Sequence, residues 1–416
     1  MDYRARVVDR ELASALKGAG IVLIEGPRGC GKTSTGLQRA ASSVRLDLDA
    51  GLRGLAAVAP EQVLSGAAPR LVDEWQLAPE LWSHARSLVD QIGAAKGQFI
   101  FAGSSVPPDD ATRHTGSLRV RRLRMRPMAL LESGHSSGQV SLAGILDGSS
   151  TATAAGTTPI NVLAEQIVRG GWPGLLDVEV LDAAGVLRSA VQDIARLDIT
   201  AVDGVRRNPA AVLRVMRSRA RHTATLAADT TIAADCSSPQ RAMATATVAA
   251  YDTALERIMV VEDQRAWMPS LRSRARLRVS SKRHYVDPSL SCAALGLDPH
   301  RLLQDFELFG LLFESLVVRD LRVYSQALGA SVLHYRDSDD LEVDAIVECP
   351  DGRVGAFEVK LGSSRIDAAA ENLLKFRAKL APEVAATTVL AVITNTGAGY
   401  TRADGVRVVP IDALGP

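Results

Sequence analysis

The apolar positions in the first 133 residues fall into short runs that alternate with stretches of helical spacing. Short apolar runs are typical of strands buried on both faces of a parallel sheet. The strand-like runs are residues 21–24, 44–49, 71–72 and 98–105. The helical stretches between them are residues 10–17, 34–41 and 81–92. This alternation predicts an α/β fold in which helices cover both faces of a parallel sheet.

The pattern changes after residue 133. Residues 134–160 are rich in Gly, Ser, Thr and Ala, which is typical of a linker or irregular loop. Residues 181–259 have helical spacing that is interrupted at 206–209 and runs into a strand near 261, which fits a winged-helix-like unit or a helical lid. Residues 306–393 alternate again between helix and strand, which predicts a small α/β domain. The predicted division is 1–133, 134–180, 181–290 and 291–416.

Charge, cysteine spacing and the length of the apolar runs bear on which partners and which cellular compartment we expect. The chain of 416 residues is 47% apolar and has a formal net charge of +1, so no global field attracts nucleic acid or an acidic membrane. Its four cysteines have no zinc spacing and no C-x-x-C pair, which predicts reduced thiols. The N-terminus has no signal-peptide core, and no apolar run approaches the roughly 18 residues of a membrane span. We therefore expect a cytoplasmic protein without a membrane partner.

The strongest local motif is Gly-Pro-Arg-Gly-Cys-Gly-Lys-Thr at residues 26–33, which fits G-x-x-x-x-G-K-[ST] at every fixed position. A strand-like run precedes it and a helix-like stretch follows, so it predicts a phosphate-binding loop for ATP. Its glycines let backbone N–H groups approach phosphate oxygens, Lys32 adds a positive charge, and the Thr33 hydroxyl is a Mg²⁺ ligand. The alternative is a glycine-rich turn with a chance Lys-Thr. The expected ATP-binding residues here are Gly26, Pro27, Arg28, Gly29, Cys30, Gly31, Lys32, Thr33 and Ser34.

A second acidic motif ends the next predicted strand. Leu-Val-Asp-Glu-Trp at residues 71–75 fits a Walker B pattern, in which Asp73 holds Mg²⁺ and Glu74 orients and deprotonates the attacking water. The alternative is an acidic N-terminal cap for the helix that begins near residue 80. Ser104 or Ser105, at the end of the following strand, is expected to contact the γ-phosphate or the water. A plain strand-to-loop turn is the alternative for these two serines.

Arginines are concentrated after residue 112. Three interpretations stand side by side: an arginine that acts on the ATP of a neighbouring subunit in a homo-oligomer, a phosphate-contacting face, and a solvated edge strand protected from aggregation by its charges. The residues concerned are Arg113, Arg119, Arg121, Arg122, Arg124 and Arg126.

The C-terminal part carries a D-x₁₃-E-x-K pattern that resembles the PD-(D/E)xK nuclease superfamily. In that superfamily, carboxylates hold Mg²⁺ and a lysine positions or deprotonates a water for phosphodiester attack. The resemblance implies that Asp344 and Glu358 are metal ligands, that Lys360 is the catalytic lysine, and that Glu314 completes the site from a helix. The same residues also fit a salt-bridged hairpin, or a degenerate nuclease fold that is retained for binding.

Taken together, the motifs resemble a prokaryotic family of AAA-type ATP-binding proteins with a C-terminal domain of unknown function 4143. The matching stretches are residues 26–33, 71–76, 101–105, 124–132, 169–173, 282–290, 313–320 and 357–362. The resemblance implies ATP binding and hydrolysis, a winged-helix-like middle and a restriction-endonuclease-like C-terminal domain. Many relatives have Gly-Arg where this chain has Leu118-Arg119, which leaves the identity of an arginine finger open.

These patterns support three functional hypotheses. The first is a Mg²⁺-dependent ATPase whose nucleotide state controls the nuclease-like domain. The second is an ATP-dependent binding switch that recognises a partner protein or DNA through a catalytically inactive nuclease-like domain. The third is a nucleotide kinase, for which the sequence offers no recognisable lid with paired arginines.

Overall fold

The computed structural model describes residues 3–104, 119–149, 154–238, 242–268 and 280–416. Its contacts divide the chain into two compact units. The first unit comprises Met1–Pro127, Arg196–Arg207 and Thr253–Val260, and the second comprises Met128–Ala195, Asn208–Asp252 and Val261–Pro416. The finer division into four domains stays a prediction.

A five-stranded sheet in the order β2-β3-β4-β1-β5 forms the centre of the first unit, and every neighbouring pair is parallel. Its strands are β1 (Ile21–Glu25), β2 (Ser42–Arg45), β3 (Arg70–Asp73), β4 (Phe99–Gly103) and β5 (Val120–Arg124). Its helices are α1 (Val8–Gly18), α2 (Lys32–Leu37), α3 (Ala50–Val58), α4 (Pro60–Leu64) and α5 (Glu80–Gln91). The predicted parallel α/β sheet is confirmed.

Alternate residues of β1 enter two different hydrophobic cores, one on each face of the sheet. Ile21 and Leu23 pack with residues of α4 and α5. Val22 and Ile24 pack with residues of α1. Because β1 is central and covered on both faces, its near-continuous apolar sequence is the pattern expected for a buried parallel strand. The carboxyl ends of β1, β3 and β4 share one edge of the sheet.

The middle of the chain is mainly helical. It contains β6 (Val140–Ser141), α6 (Leu142–Leu146), β7 (Ala154–Gly156), α7 (Ile160–Arg169), α8 (Val180–Asp193), α9 (Ile199–Ala201), α10 (Pro209–Arg221), α11 (Asp229–Cys236), α12 (Thr245–Arg257), α13 (Pro288–Leu295) and α14 (Pro299–Leu302). After α12, antiparallel bridges join Val261 to Tyr285 and Gln264 to Lys282. Three helices followed by an antiparallel pair are compatible with the winged-helix interpretation, which stays a prediction.

A seven-stranded mixed sheet in the order β7-β12-β13-β11-β10-β9-β8 lies in the second unit. The remaining elements are α15 (Phe306–Gln326), β8 (Ser331–Arg336), β9 (Glu342–Glu348), β10 (Val354–Lys360), α16 (Ile366–Ala378), α17 (Pro382–Thr387), β11 (Val389–Thr394), β12 (Gly397–Thr401), β13 (Arg407–Pro410) and β14 (Leu414–Gly415). β9 pairs antiparallel with β10, and β10 pairs parallel with β11. The hairpin of β9 and β10 brings the acidic and lysine residues of the D-x₁₃-E-x-K pattern onto adjacent strands.

The small-residue segment 134–160, which the composition predicts to be a linker, takes part in two sheets. β7 pairs with β12 at the edge of the large sheet, and β6 pairs with β14. Ala and Gly supply no β-branched or aromatic side chains, so backbone pairing forms here without the usual strand signal. Within the described residues, no helix has the length and apolar content needed to cross a membrane.

Candidate functional sites

The phosphate-loop motif lies between the end of β1 and the start of α2, as predicted. Gly29 and Gly31 have φ values of 83° and 101°, a left-handed conformation that glycine adopts without a steric penalty. A Cβ at Gly26 would lie 2.2 Å from the carbonyl oxygen of Met125, so only glycine fits there. These positions let the loop turn sharply into the N-terminus of α2, where backbone N–H groups are available to an anion.

Lys32 is buried in this loop, with 5% of its surface exposed. Its Nζ donates to the carbonyl oxygens of Gly26 and Pro27, at 2.9 Å each. The ammonium is therefore held by the same loop whose backbone is expected to surround the phosphates. Cys30 is also buried and Ser34 is exposed. Arg28 is exposed, and its Nη1 lies 3.7 Å from Asp198 Oδ1.

Thr33 and Asp73 meet at the carboxyl edge of the sheet. The Thr33 hydroxyl donates to Asp73 Oδ2 at 2.8 Å, and Arg45 Nε lies 3.7 Å from the same oxygen. Asp73 is 2% exposed, and its other oxygen, Oδ1, has no hydrogen-bond partner among the described residues. Burial raises the pKa of Asp73, partly offset by the hydrogen bond from Thr33.

Glu74 follows Asp73 in a left-handed backbone conformation, with φ 52° and ψ 42°. Its Oε2 accepts hydrogen bonds from Gln76 Nε2 and, at 3.3 Å, from the Ser104 hydroxyl. The next residue, Trp75, is buried and stacks on Trp82 with ring centroids 5.1 Å apart. The aromatic stack anchors the turn, and Ser104 follows directly after β4, where its hydroxyl reaches Glu74. The expected contact of Ser104 with the γ-phosphate or the attacking water stays a prediction. Ser105 lies outside the described residues.

This arrangement fits a nucleotide with Mg²⁺. An unpaired buried carboxylate oxygen is costly unless another group completes its coordination, and a hard divalent cation prefers carboxylate and hydroxyl oxygens. Asp73 Oδ1 is such an atom, and the Thr33 hydroxyl lies on the same carboxylate. The residues present therefore suit the cofactor that the phosphate-loop motif implies.

The arginines of β5 lie on the edge strand of the first sheet. Arg119 pairs with Asp90, Arg121 Nη2 lies 3.7 Å from Glu11, and Arg122 Nη1 lies 2.5 Å from Glu25. Each of these three arginine side chains is between 42% and 49% exposed. Exposed pairs along an edge strand are the arrangement expected for a charge-protected edge. Arg113 lies outside the described residues.

The D-x₁₃-E-x-K residues come together in the second unit. Lys360 Nζ lies 3.1 Å from Asp344 Oδ2 and 2.5 Å from Glu358 Oε2. The backbone N–H of Val359 also donates to Asp344 Oδ2 at 2.8 Å, and Asn372 Nδ2 donates to Glu358 Oε1 at 2.8 Å. The hairpin thus places the predicted carboxylates and lysine in one cluster, together with an amide from α16.

Sequence reasoning missed a second lysine in this cluster. Lys282 is 1% exposed, and its Nζ lies 2.7 Å from Glu314 Oε1, 2.6 Å from Glu342 Oε1 and 3.6 Å from Asp344 Oδ1. Lys282 begins one of the stretches that carry the family resemblance, 282–290. The sequence Lys-Arg-His-Tyr at residues 282–285 is polar and is typical of an exposed segment, so it did not predict that the Lys282 side chain is buried.

The pKa values in the cluster follow from burial and from the lysines. Burial raises the pKa of Glu314 to about 8, although Lys282 opposes the rise. Burial also raises the pKa of Glu358. For Asp344, burial acts upward, but Lys282 and Lys360 outweigh it and leave the pKa below its usual range. The pKa values of Glu314 and Glu358 are raised while that of Asp344 is lowered, because the lysines stabilise the charged form of Asp344 most strongly.

No group of three or more His, Cys, Asp or Glu side chains in the described ranges is arranged to hold a metal ion. Glu314, Asp344 and Glu358 are near one another, but lysine ammonium groups lie between them. The predicted metal-ligand role of these three residues therefore has no support in the geometry.

A second buried ion network was also missed. Arg319 pairs with Asp287 at 2.8 Å and with Asp320 at 2.6 Å, and both carboxylates are fully buried. Asp287 accepts from the Gly171 N–H at 3.1 Å, and Asp320 accepts from the Leu130 N–H at 3.0 Å. The stretches around 124–132, 169–173, 282–290 and 313–320 thus meet in one polar network. Their shared role in this structure is to fix the chain that follows β5.

Three family models match successive parts of the chain. Family models match an AAA domain at residues 19–133, a domain of unknown function (DUF8612) at residues 160–301 and a domain of unknown function (DUF4143) at residues 309–414. Among solved structures, the chain is similar to a Walker-type ATPase of Pyrococcus abyssi, at 12% identity and a TM-score of 0.40 over 69% of this chain and 94% of that chain. The search of curated proteins found no match.

Proposed function

The chain belongs to the AAA-type ATP-binding proteins that carry a C-terminal DUF4143 domain, and from this premise we propose that it is a Mg²⁺-dependent ATPase whose nucleotide state controls the C-terminal domain. The observation that carries the proposal is the Thr33–Asp73 contact with its unpaired Asp73 Oδ1. When bound, Mg²⁺ would neutralise charge on the phosphates. Thr33 and Asp73 would hold it.

The phosphate loop supplies binding and orientation. The backbone N–H groups of residues 29–33 would cradle the phosphates at the N-terminus of α2. Lys32 would exchange its two carbonyl partners, Gly26 and Pro27, for phosphate oxygens, since charged partners make stronger hydrogen bonds than neutral ones. No new element has to form, because the ammonium is already buried within the loop.

Glu74 is the candidate general base. Its carboxylate lies beside the end of β4 and is held by Gln76 and Ser104. In this role it accepts a proton from the attacking water, while the Ser104 hydroxyl fixes the orientation of the carboxylate. A positioned general base contributes about 10²–10⁴-fold to rate.

Hydrolysis by the parent chain, Lys32→Ala and Glu74→Gln tests this proposal, with binding of a fluorescent ATP analogue measured in parallel. We expect Lys32→Ala to lose binding and hydrolysis. We expect Glu74→Gln to keep binding and to lose hydrolysis by about 10²–10⁴-fold. The matched control is Glu61→Gln, which removes an exposed glutamate of α4. Normal hydrolysis by Glu74→Gln would overturn the assignment of the base.

We propose that nucleotide binding affects the second unit through residues 125–127, which lead directly into Met128, the first residue of that unit. Arg6 donates to the Cys30 carbonyl in the phosphate loop at 2.9 Å and to the Arg126 carbonyl at 2.7 Å. Two residues later, Met128 donates its N–H to Gly171 at 2.6 Å. A shift of the loop on nucleotide binding would therefore reach the start of the second unit through only a few bonds.

Hydrogen exchange of residues 125–133 tests this coupling. We expect ATP to slow exchange in this segment in the parent chain and to do so less in Arg6→Ala. The matched control is Arg10→Ala, an exposed arginine of α1. Identical exchange with and without ATP, under conditions in which ATP is bound, would contradict it.

The second candidate is the binding switch, in which ATP sets the affinity for a partner protein or DNA and the C-terminal domain does not cleave. The lysines among Glu314, Asp344 and Glu358 favour it over a nuclease. Mg²⁺- or Mn²⁺-dependent nicking of DNA or RNA by the parent chain, lost in Glu358→Ala, would favour the nuclease instead. Stimulation of ATP hydrolysis by DNA would identify nucleic acid as the partner.

A further inference from the structure

The carboxylate cluster of the second unit has its own cation at the centre. Lys282 Nζ contacts Glu314 on α15 and both Glu342 and Asp344 on β9, at distances between 2.6 and 3.6 Å. The lysine is 1% exposed and Glu314 is 8% exposed. A buried ammonium that contacts three carboxylates supplies the charge compensation that a divalent cation would otherwise provide.

The carboxylate oxygens of Asp344 and Glu358 are all engaged by the protein. Asp344 Oδ1 faces Lys282, and its Oδ2 accepts from the Val359 N–H and from Lys360. Glu358 Oε1 accepts from Asn372, and its Oε2 lies against Lys360. A metal ion would have to displace these donors and remain close to two ammonium groups of the same charge sign.

The backbone fixes Lys282 in this position. Its N–H and carbonyl pair with Gln264 in both directions at 2.9 Å. The following residue, Arg283, pairs with Asp252 and Asp263 at 3.1 Å each. The main chain at Lys282 is therefore held on both sides of the residue, and its ammonium lies among the three carboxylates.

We propose that Lys282 permanently occupies the cation position of this carboxylate cluster, so that the C-terminal domain is a metal-independent, non-cleaving fold. The cluster then joins the segment at residues 282–285 to α15 and to the β9–β10 hairpin. This inference concerns the second unit only and does not depend on whether the first unit hydrolyses ATP.

Calorimetric titration of Mn²⁺ into the full chain tests the proposal. An Asp73→Asn background removes the carboxylate ligand proposed for the first unit, so that Mn²⁺ binding reports the C-terminal cluster. In this background we expect no stoichiometric Mn²⁺ binding. Adding Lys282→Met should create one Mn²⁺ site and raise the melting temperature when Mn²⁺ is present. The matched control, Lys375→Met, removes an exposed lysine that pairs with Glu371 and should create no site.

Two results would overturn the proposal. One is stoichiometric Mn²⁺ binding by the Asp73→Asn chain that disappears with Glu358→Gln. The other is a folded Lys282→Met variant that still binds no Mn²⁺. If Lys282→Met does not fold, the titration of the Asp73→Asn chain and its Glu358→Gln derivative decides the matter, because neither measurement uses the lysine variant.

Discussion

Asp73 in the first unit and Asp344 in the second are both buried aspartates, 2% and 9% exposed, and both lie in strands, Asp73 at the end of β3 and Asp344 within β9. Asp73 accepts one hydroxyl, lies 3.7 Å from one arginine and keeps one oxygen without a hydrogen bond. Asp344 has two lysines and a backbone N–H. The pKa shifts follow this contrast, since burial raises that of Asp73 while lysines lower that of Asp344.

The contrast shows that counting carboxylates does not identify a metal site. The second unit has more acidic residues close together than the first, yet its charges are balanced internally. The first unit has fewer, but one oxygen is left for a ligand from outside. What distinguishes Asp73 from Asp344 is one carboxylate oxygen that the described residues leave without a hydrogen bond.

Replacing each aspartate by asparagine should give opposite outcomes. We expect Asp73→Asn to lower Mg²⁺-dependent ATP hydrolysis on the order of 100-fold or more, because Mg²⁺ loses its anionic ligand. Its stability should change by less than about 1 kcal/mol, because burial already disfavours the charged carboxylate. We expect Asp344→Asn to lower the free energy of unfolding by about 3–5 kcal/mol, because it leaves buried lysines undercompensated.

Urea unfolding and steady-state hydrolysis measure both effects. A stable Asp344→Asn variant would show that the lysines are not needed to compensate this carboxylate. Full hydrolysis by Asp73→Asn would show that the unpaired oxygen of Asp73 is not a metal ligand.

The cluster should also make stability fall as the pH rises from about 4.5 to about 8. Burial raises the pKa of Glu314 from 4.5 to about 8, and that of Glu358 moves in the same direction. The folded state therefore holds protons that the unfolded state has released above pH 4.5. This contribution is full below that pH and is lost as the pH rises through about 8. We expect a lower melting temperature near pH 9 than near pH 7.

Glu314→Gln should flatten this dependence, while Glu371→Gln on the exposed face of α16 should not. The neighbouring Lys282, Glu342 and Asp344 face Glu314, but the shifts of Lys282 and Asp344 act outside this range. His334, whose pKa burial lowers to about 4, acts only below pH 6.5. A melting temperature that is constant from about pH 7 to 9 would contradict the prediction.

We expect the smallest change in stability and activity from a substitution in β5, the edge strand of the first unit. Arg122→Ala removes a half-exposed pair with Glu25 and should cost less than about 1 kcal/mol of stability. ATP hydrolysis should stay unchanged. If Arg122 instead acts on the ATP of a second copy, hydrolysis should fall by about 10³-fold or more. Mixing the Arg122→Ala and Lys32→Ala chains should then restore part of the ATP hydrolysis, because each variant supplies the residue that the other lacks.

The first unit could be predicted because its signals are local. The phosphate loop, its flanking elements and the acidic pair at residues 73–74 lie in short stretches, and a parallel sheet brings the carboxyl ends of its strands to one edge. The contacts of Thr33 with Asp73 and of Ser104 with Glu74 follow from that geometry. The unpaired oxygen of Asp73 does not, because it depends on which neighbours fail to reach it.

The second unit was less accessible to prediction because its contacts are distant in sequence. Lys282 is 32 residues from Glu314, and Leu130 is 190 residues from Asp320. β7 consists of Ala and Gly and forms only because β12 offers its backbone. Segments 196–207 and 253–260 return to the first unit through packing that no local pattern encodes.

At Glu74 the backbone conformation and the proposed catalytic role favour different residues. Its φ of 52° is a conformation that glycine and asparagine adopt more easily than glutamate. Selection for folding alone would favour those residues here, whereas selection for a proton acceptor favours glutamate. In lineages that have abandoned hydrolysis, we therefore expect residue 74 to drift to glycine or asparagine before the buried aromatic residues behind it change. If Glu74 is the general base, as proposed, the residue at this position would record whether a descendant retains hydrolysis.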